Sequence, residues 1–242
     1  MTEPRFAARG VVREFDGGDG VAGLDLDVHP GEIHALVGLN GAGKTTLMRL
    51  LLGMLRPSSG TVHVDGRPVA SVPPAVWGRV GHMVGSPFAY PELTAEANLT
   101  LAARLKLVPS HRLADAVTRI IAELDLGPVA GKRARALSLG NLQRVGIAAA
   151  LVHDPTAVVL DEPTNGLDPS AVLALRSALR RRADGGAGIL VASHHLDEVA
   201  RVADRITVMN RGRVVGTLDP DGADLERGLF AIAHADDLGH SR

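Results

Sequence analysis

Residues 38–46 read Gly38-Leu39-Asn40-Gly41-Ala42-Gly43-Lys44-Thr45-Thr46, set between the apolar run Ile33-His34-Ala35-Leu36-Val37 and the amphipathic Leu47-Met48-Arg49-Leu50-Leu51-Leu52. A strand, a glycine loop and a helix in that order let backbone N–H groups close around phosphate oxygens at a helix start. Gly38, Gly41 and Gly43 can take positive φ and carry no Cβ to obstruct an approaching anion. Lys44 supplies a compact cation for β- and γ-phosphates, and the Thr45 hydroxyl can occupy a position on Mg²⁺. Gly38, Asn40, Gly41, Ala42, Gly43, Lys44, Thr45 and Thr46 are therefore the candidate nucleotide-binding residues. The lysine is informative, because only Lys44, Lys106 and Lys132 occur among 26 Lys+Arg.

Further along stands a carboxylate pair. Val158-Val159-Leu160-Asp161-Glu162 is an apolar run ending in two acids, as in a buried strand that delivers carboxylates to its C-terminal edge. On its own the pentapeptide reads equally as a strand running into an acidic turn before Pro163. Paired with the glycine loop, Asp161 would hold Mg²⁺ through water, and Glu162 would orient or deprotonate an attacking water.

Outward from these two segments, short Val/Ile/Leu runs bounded by Gly, Pro and Asn alternate with longer stretches of helical period, the pattern of an α/β protein. Gly23–Val28 and Glu32–Val37, joined through Pro30-Gly31, predict an antiparallel hairpin, and Thr61–Asp65 continues its alternation. Between 94 and 137 the recurrence of Leu99, Ala103 and Leu107, then Leu113, Val117, Ile120 and Leu124, predicts a helical insert. Thr94 is its expected N-cap, and Gly127-Pro128 its expected stop. From Ser138 the chain returns to alternating helices and strands. The stretch Asp219–Arg242 is polar, with scattered acids and no readable chemistry.

The 242 residues contain no cysteine, 45% hydrophobic and 22% charged residues, which predicts a folded chain and excludes a disulfide scaffold, thiol catalysis and thiolate metal sites. Apolar runs such as Ala157–Leu160 and Ile189–Ala192 fall far short of the roughly twenty residues a membrane-spanning helix needs. Met1–Phe6 carries an acid and a proline and lacks the apolar stretch of a secretory leader, so a cytoplasmic location is expected. A net charge of -1 and 2% aromatics offer little to a phosphate backbone or to stacked bases, so nucleic acid is not an expected partner.

Taken together, these segments resemble the ATP-binding subunit of ABC transporters from about Phe6 to Leu218. Leu137-Ser138-Leu139-Gly140-Asn141-Leu142-Gln143-Arg144 resembles the family signature, whose usual form is Leu-Ser-Gly-Gly-Gln; Ser138 and Gly140 match, while Leu139 and Asn141 depart. The resemblance implies that this helix start caps the γ-phosphate bound to a second subunit, so that one ATP lies between two chains. Physically, a serine hydroxyl and close glycine backbone at a helix start can form an anion site. Ser138 is equally an ordinary N-cap. Asn165-Gly166-Leu167-Asp168-Pro169 resembles the family's dimer-contacting loop, and Asp168 also reads as an N-cap followed by proline at the first helical position. In Ala192-Ser193-His194-His195-Leu196-Asp197-Glu198 the family register puts the switch histidine at His194, not His195. Its implied role is to contact the γ-phosphate and to position Glu162 and the water. Phe15 stands where the family places an aromatic that stacks on adenine; the alternative is a core residue.

The resemblance implies a P-loop NTPase (RecA-like) α/β core with an N-terminal antiparallel β subdomain and an inserted α-helical subdomain at 86–137. The ATP-binding domain would span 5–218, with 219–242 as a C-terminal tail. It implies ATP and Mg²⁺ as cofactors. Glu162, His194 and Lys44 would be catalytic, Thr45 and Asp161 would face the metal, and Phe15, Ser138, Gly140 and Asp168 would join the loop in holding nucleotide. The implied partners are a separate transmembrane permease and a second nucleotide-binding subunit, an identical chain or a related one, which together place the protein peripherally on the inner face of the membrane. Tyr90-Pro91-Glu92-Leu93-Thr94 and the signature variant point to a bacterial exporter-like branch.

Two rivals are a soluble ABC-type ATPase of DNA repair or translation and a slowly hydrolysing nucleotide-gated module. The first lacks its usual coiled coil, zinc cysteines or tandem domains here; the second is suggested by Gly85, Leu139 and Asn141 and opposed by Glu162 and His194. In Val80-Gly81-His82-Met83-Val84-Gly85-Ser86 the family has Gln or Glu where this chain has Gly85, so a side chain toward metal and membrane partner is missing. Water or Ser86 is expected to fill that place. Arg180-Arg181-Arg182 reads as a solvated helix end offsetting the macrodipole, and Lys132, Arg133 and Arg135 as surface charges.

Overall fold

The computed structural model describes residues 3–15, 20–222 and 224–239. The first half of the chain forms β1 (Phe6–Glu14), β2 (Gly20–Val28), β3 (Ile33–Val37), α1 (Lys44–Leu51), β4 (Ser59–Val64), β5 (Arg67–Pro68), α2 (Pro74–Trp77) and β6 (Val80–Met83). Next come α3 (Ala95–Leu105), α4 (Leu113–Glu123), α5 (Leu139–Leu151), β7 (Ala157–Asp161) and α6 (Pro169–Asp184). The last elements are β8 (Gly188–Ser193), α7 (Leu196–Ala200), β9 (Arg205–Asn210), β10 (Arg213–Leu218) and α8 (Leu225–Gly239). They build a four-stranded antiparallel sheet, order β2-β1-β4-β5, and a six-stranded sheet, order β10-β9-β3-β8-β7-β6. Within the larger sheet every neighbouring pair is parallel except β9 with β10. This is the expected mixed α/β architecture.

The central strands are apolar on both faces because both are covered. Val158 and Leu160 of β7, with Ile189 and Val191 of β8, pack with the helices α3 to α7. Their alternating partners Ala157, Val159, Leu190 and Ala192 pack instead with α1 and the antiparallel sheet. The glycine loop at the end of β3 therefore lies at the C-terminal edge of the parallel sheet, where crossover topology leaves a crevice.

The expected hairpin across Pro30-Gly31 does not form. β2 pairs with β1, from Phe6↔Val28 to Glu14↔Gly20, while β3 lies between β8 and β9 in the other sheet. All five residues of β3 are buried, which requires hydrogen-bonded neighbours on both edges and cover on both faces, and a hairpin to β2 cannot supply them. Glu32 holds the crossing between sheets: its Oε2 accepts the His29 N–H at 2.7 Å and its Oε1 the Arg205 Nε at 2.7 Å.

The helical insert begins as expected, with the Ala97 N–H donating to Thr94 Oγ1 at 3.1 Å. Its stop differs. α4 ends at Glu123, Asp125 takes φ +50, and the Leu126 N–H returns to the Ile121 carbonyl at 2.8 Å. A short polar side chain tolerates the left-handed region, so Asp125 ends the helix before Gly127-Pro128, which lie in a later 3₁₀ turn. The polar C-terminal stretch also folds: α8 buries Leu229 and Ala233 and lays Ile232 against Gly216 of β10.

Arg182 overturns its reading as a solvated helix end. Its side chain is 5% exposed; Nη1 donates to Glu123 Oε1 at 2.7 Å and the Ala178 carbonyl at 2.9 Å. Nη2 donates to Glu123 Oε2 at 3.1 Å and the Leu151 carbonyl at 3.2 Å. The end of α6 is packed against α4 and α5, and a guanidinium buried there must be paired. Arg180 does stay near the surface, paired with Asp184 and Asp204, and Arg133 and Arg135 are exposed beside Glu92.

Candidate functional site

Gly43 opens α1 in the left-handed region at φ +94, and a Cβ there would lie 2.5 Å from the Gly20 carbonyl oxygen. A Cβ on Gly38 would lie 2.3 Å from the Met209 carbonyl oxygen. The loop is thus clamped between β2 and the end of β9, and glycine is required at both positions. No side chain caps the start of α1, so its first N–H groups and the positive end of its dipole are open to an anion. Lys44 folds back over the loop, its Nζ donating to the carbonyls of Gly38 at 2.6 Å and Leu39 at 3.2 Å. Burial lowers its pKa, while Glu162 and Asp161 pull the other way and favour the ammonium. Ala42 is buried, and Leu39, Asn40 and Gly41 face solvent at the mouth.

β7 carries Asp161 to the same edge. Thr45 Oγ1 donates to Asp161 Oδ2 at 2.8 Å. The hydroxyl and the carboxylate fit a Mg²⁺ that takes most of its ligands from phosphate and water. Among the described residues no cluster of three or more His, Cys, Asp or Glu side chains offers an all-protein cage.

Glu162 follows with φ +47, an uncommon conformation for a residue with a long side chain. Three groups hold it there. Its N–H donates to the Ala192 carbonyl at 2.9 Å, Gln143 Nε2 donates to its carbonyl at 3.0 Å, and His194 Nδ1 lies 2.8 Å from its Oε2. The His194 backbone N–H also reaches that oxygen, at 3.2 Å. Because a carboxylate only accepts, Nδ1 is the donor in this contact. The His195 ring lies against His194 with centroids 3.9 Å apart and planes tilted by 40°, and among the described residues no hydrogen bond joins it to Glu162. Backbone strain held by converging hydrogen bonds is the arrangement of a carboxylate kept aimed at one point.

Ser138, Gly140 and Asp168 form a separate cluster. Ser138 Oγ accepts the Asn141 N–H at 3.3 Å, and Asp168 Oδ1 accepts the Ala171 N–H at 2.8 Å, so both are N-caps. The Ser170 hydroxyl and that backbone donor hold the Asp168 carboxyl below its ordinary range. A Cβ on Gly140 would meet the Gly166 carbonyl oxygen at 2.4 Å, which locks the start of α5 to the loop before α6. Among the described residues no hydrogen bond joins this cluster to residues 38–46.

Phe15 is 39% exposed, not a core residue, and the Arg13 guanidinium sits 5.0 Å from its ring centroid. Gly85 takes φ +78, and among the described residues, its chain neighbours apart, the one heavy atom within 4 Å of a Cβ there is Arg49 Nη2 at 3.9 Å. The Arg49 guanidinium, carried on α1, thus lies beside the place of the missing side chain. Gln143 is the site residue the sequence reading passed over. It was legible only as a polar residue in an otherwise apolar helix, and the structure buries it with its amide on the carbonyls of Glu162 and Pro163.

The family model described as ABC transporter matches residues 21–165. The ribose import ATP-binding protein RbsA 2 of Rubrobacter xylanophilus is 37% identical over 233 residues, covering 90% of this chain and 44% of that protein. A daunorubicin resistance ATP-binding protein, DrrA3 of Streptomyces coeruleorubidus, is 34% identical over 221 residues, covering 90% of this chain and 70% of that protein. A solved structure titled as the ATP binding subunit of an ABC transporter superposes with a TM-score of 0.82 at 27% identity, covering 98% of each chain. The chain spans less than half the length of the ribose-import relatives it matches. With import proteins prominent among its relatives, the expected assignment to an exporter-like branch has no support.

Proposed function

Because this chain belongs to the ABC transporter family as an ATP-binding domain, an ATPase, we propose that it binds MgATP on the 38–46 loop and hydrolyses it to drive a membrane permease carried on another polypeptide or segment. The observation that carries this reading is the convergence of Lys44, the Thr45–Asp161 pair and the Glu162–His194 pair at one edge of the parallel sheet.

Each residue then has a role. The loop amides and Lys44 hold the phosphates, and Thr45 and Asp161 hold Mg²⁺, which neutralises charge on the phosphate oxygens. Glu162 aligns and deprotonates the attacking water, and His194 fixes the carboxylate through Nδ1. Phe15, exposed beside Arg13, offers a face to adenine. The Ser138–Gly140 helix start and Asp168, joined to the loop by no hydrogen bond among the described residues, are assigned to the nucleotide of a second subunit of the same kind, as the family signature they resemble implies. Nucleotide then closes two chains, and hydrolysis with phosphate release removes the contacts that closed them.

The domain proposed to do this spans 5–218, with 86–137 as its helical insert. No helix among the described residues is long and apolar enough to cross a membrane, so attachment to the membrane's inner face would run through the permease.

Two variants of the full chain test this. Lys44→Ala is expected to abolish binding of a fluorescent ATP analogue. Glu162→Gln is expected to keep binding but slow phosphate release by about 10²–10⁴. Turnover in Glu162→Gln equal to the parent's would remove Glu162 from the chemistry, and a parent that binds ATP but barely releases phosphate would return the nucleotide-gated reading.

A further inference from the structure

We propose that Asn210 is a positioning residue for the phosphate loop, and that α8 braces the nucleotide site through it. This rests on the reading of residues 38–46 as the triphosphate site.

The back wall of the loop is the turn from β9 to β10. The Gly212 N–H donates to the Ala42 carbonyl at 3.0 Å, and its own carbonyl accepts the Ala22 N–H at 2.9 Å. The Gly212 Cα lies 3.2 Å from where a Gly43 Cβ would be, and the Met209 carbonyl oxygen closes on Gly38. A shift of this turn therefore displaces the Ala42 carbonyl and relaxes the contact that shapes Gly38 and Gly43.

Asn210 and Arg211 set the position of that turn, and the groups that hold them come from α8. Asn210 is 7% exposed, and its Nδ2 donates to both Asp236 Oδ2 and Asp237 Oδ1 at 3.0 Å. An amide nitrogen has two protons, and the two charge-assisted bonds use both. Arg211, held at φ +45, pairs with Asp237 through Nε at 3.1 Å. Two aspartates in the last turn of a helix oppose its dipole. A locally unfavourable placement that is matched by specific tertiary partners marks a site kept for something other than helix stability. Leu229 and Ala233, buried on the same helix, fix α8 so that its end can hold the turn.

The test uses the double variant Asp236→Asn/Asp237→Asn, which keeps side-chain size and relieves the helix dipole, so the fold is expected to survive by far-UV circular dichroism. Removing the two acceptors' charge is expected to raise the Kd for a fluorescent ATP analogue and the KM for ATP roughly fivefold while leaving kcat within twofold. Asn210→Ala should reproduce the split. An unchanged Kd in the double variant, or a fall in kcat with KM unmoved, overturns the proposal. Lys44→Ala run alongside reports on the site itself: if it binds the analogue as the parent does, the triphosphate reading fails independently of α8.

Discussion

Replacing Arg182 with methionine should test whether the helical insert is stapled to the core by one buried guanidinium. The side chain joins the end of α6 to Glu123 of α4 through two hydrogen bonds, at 2.7 and 3.1 Å, and to the last turn of α5 through the Leu151 carbonyl. Arg182 is 5% exposed and Glu123 11% by side chain, so removing the cation strands a carboxylate shielded from water. Breaking such a pair from one side costs about 3–5 kcal/mol. Arg181 also reaches Glu123 from a half-exposed position and keeps part of its compensation, which sets the expected loss near the lower bound, about 3 kcal/mol. For a chain of this size that corresponds to a fall in Tm of roughly 6–12 °C. Urea unfolding followed by circular dichroism measures it, and the cycle is completed with Glu123→Leu and the double variant. The double variant should lose less than the two single variants combined, by about 1–3 kcal/mol, because neither leaves its partner stranded in the other's absence. Additive losses, or an Arg182→Met variant within about 0.5 kcal/mol of the parent, would show that the buried pair does not hold α4 to α6.

Gly85 sits at φ +78, a conformation that costs a residue with a Cβ about 1–2 kcal/mol, so Gly85→Ala and Gly85→Gln should lose stability equally. If a side chain is what this position lacks, the glutamine variant should release phosphate faster than the alanine one; equal rates would show that position 85 is not the deficit. Burial lowers the pKa of His34, His82 and His153 from 6.5 to about 4, with Arg205 adding to the effect on His34 and Lys106 to that on the other two. The unfolded chain therefore takes up protons first as pH falls. The stability these neutral rings contribute is complete above about pH 6.5 and drains away toward pH 4. Urea midpoints measured from pH 7.5 to 4.5 should fall steadily, and a flat profile would mean that the rings are not buried neutral.

The candidate phosphate-binding residues are readable in the chain because their pattern is local. Gly38–Thr46 needs only a preceding strand and a following helix, both visible in its flanks, and Thr94, Ser138 and Asp168 cap helices with partners three residues away. The pairing of β2 was not readable. Pro30-Gly31 looks like a hairpin turn in either arrangement, and the choice depends on whether β3 is covered on both faces. Arg182 departs from its reading for the same reason, since a charge three residues from a glycine pair reads as solvated until another helix is seen lying over it. Sequence alone determines the strand, glycine loop and helix at residues 33–52 and the carboxylate pair that ends β7, because those are properties of a few adjacent residues. Only tertiary packing decided that Glu162 is held by Gln143 and His194, that Arg49 faces Gly85, and that α8 reaches the loop through Asn210. Each of these contacts joins segments far apart in the chain, and no local propensity encodes which distant surface will arrive opposite.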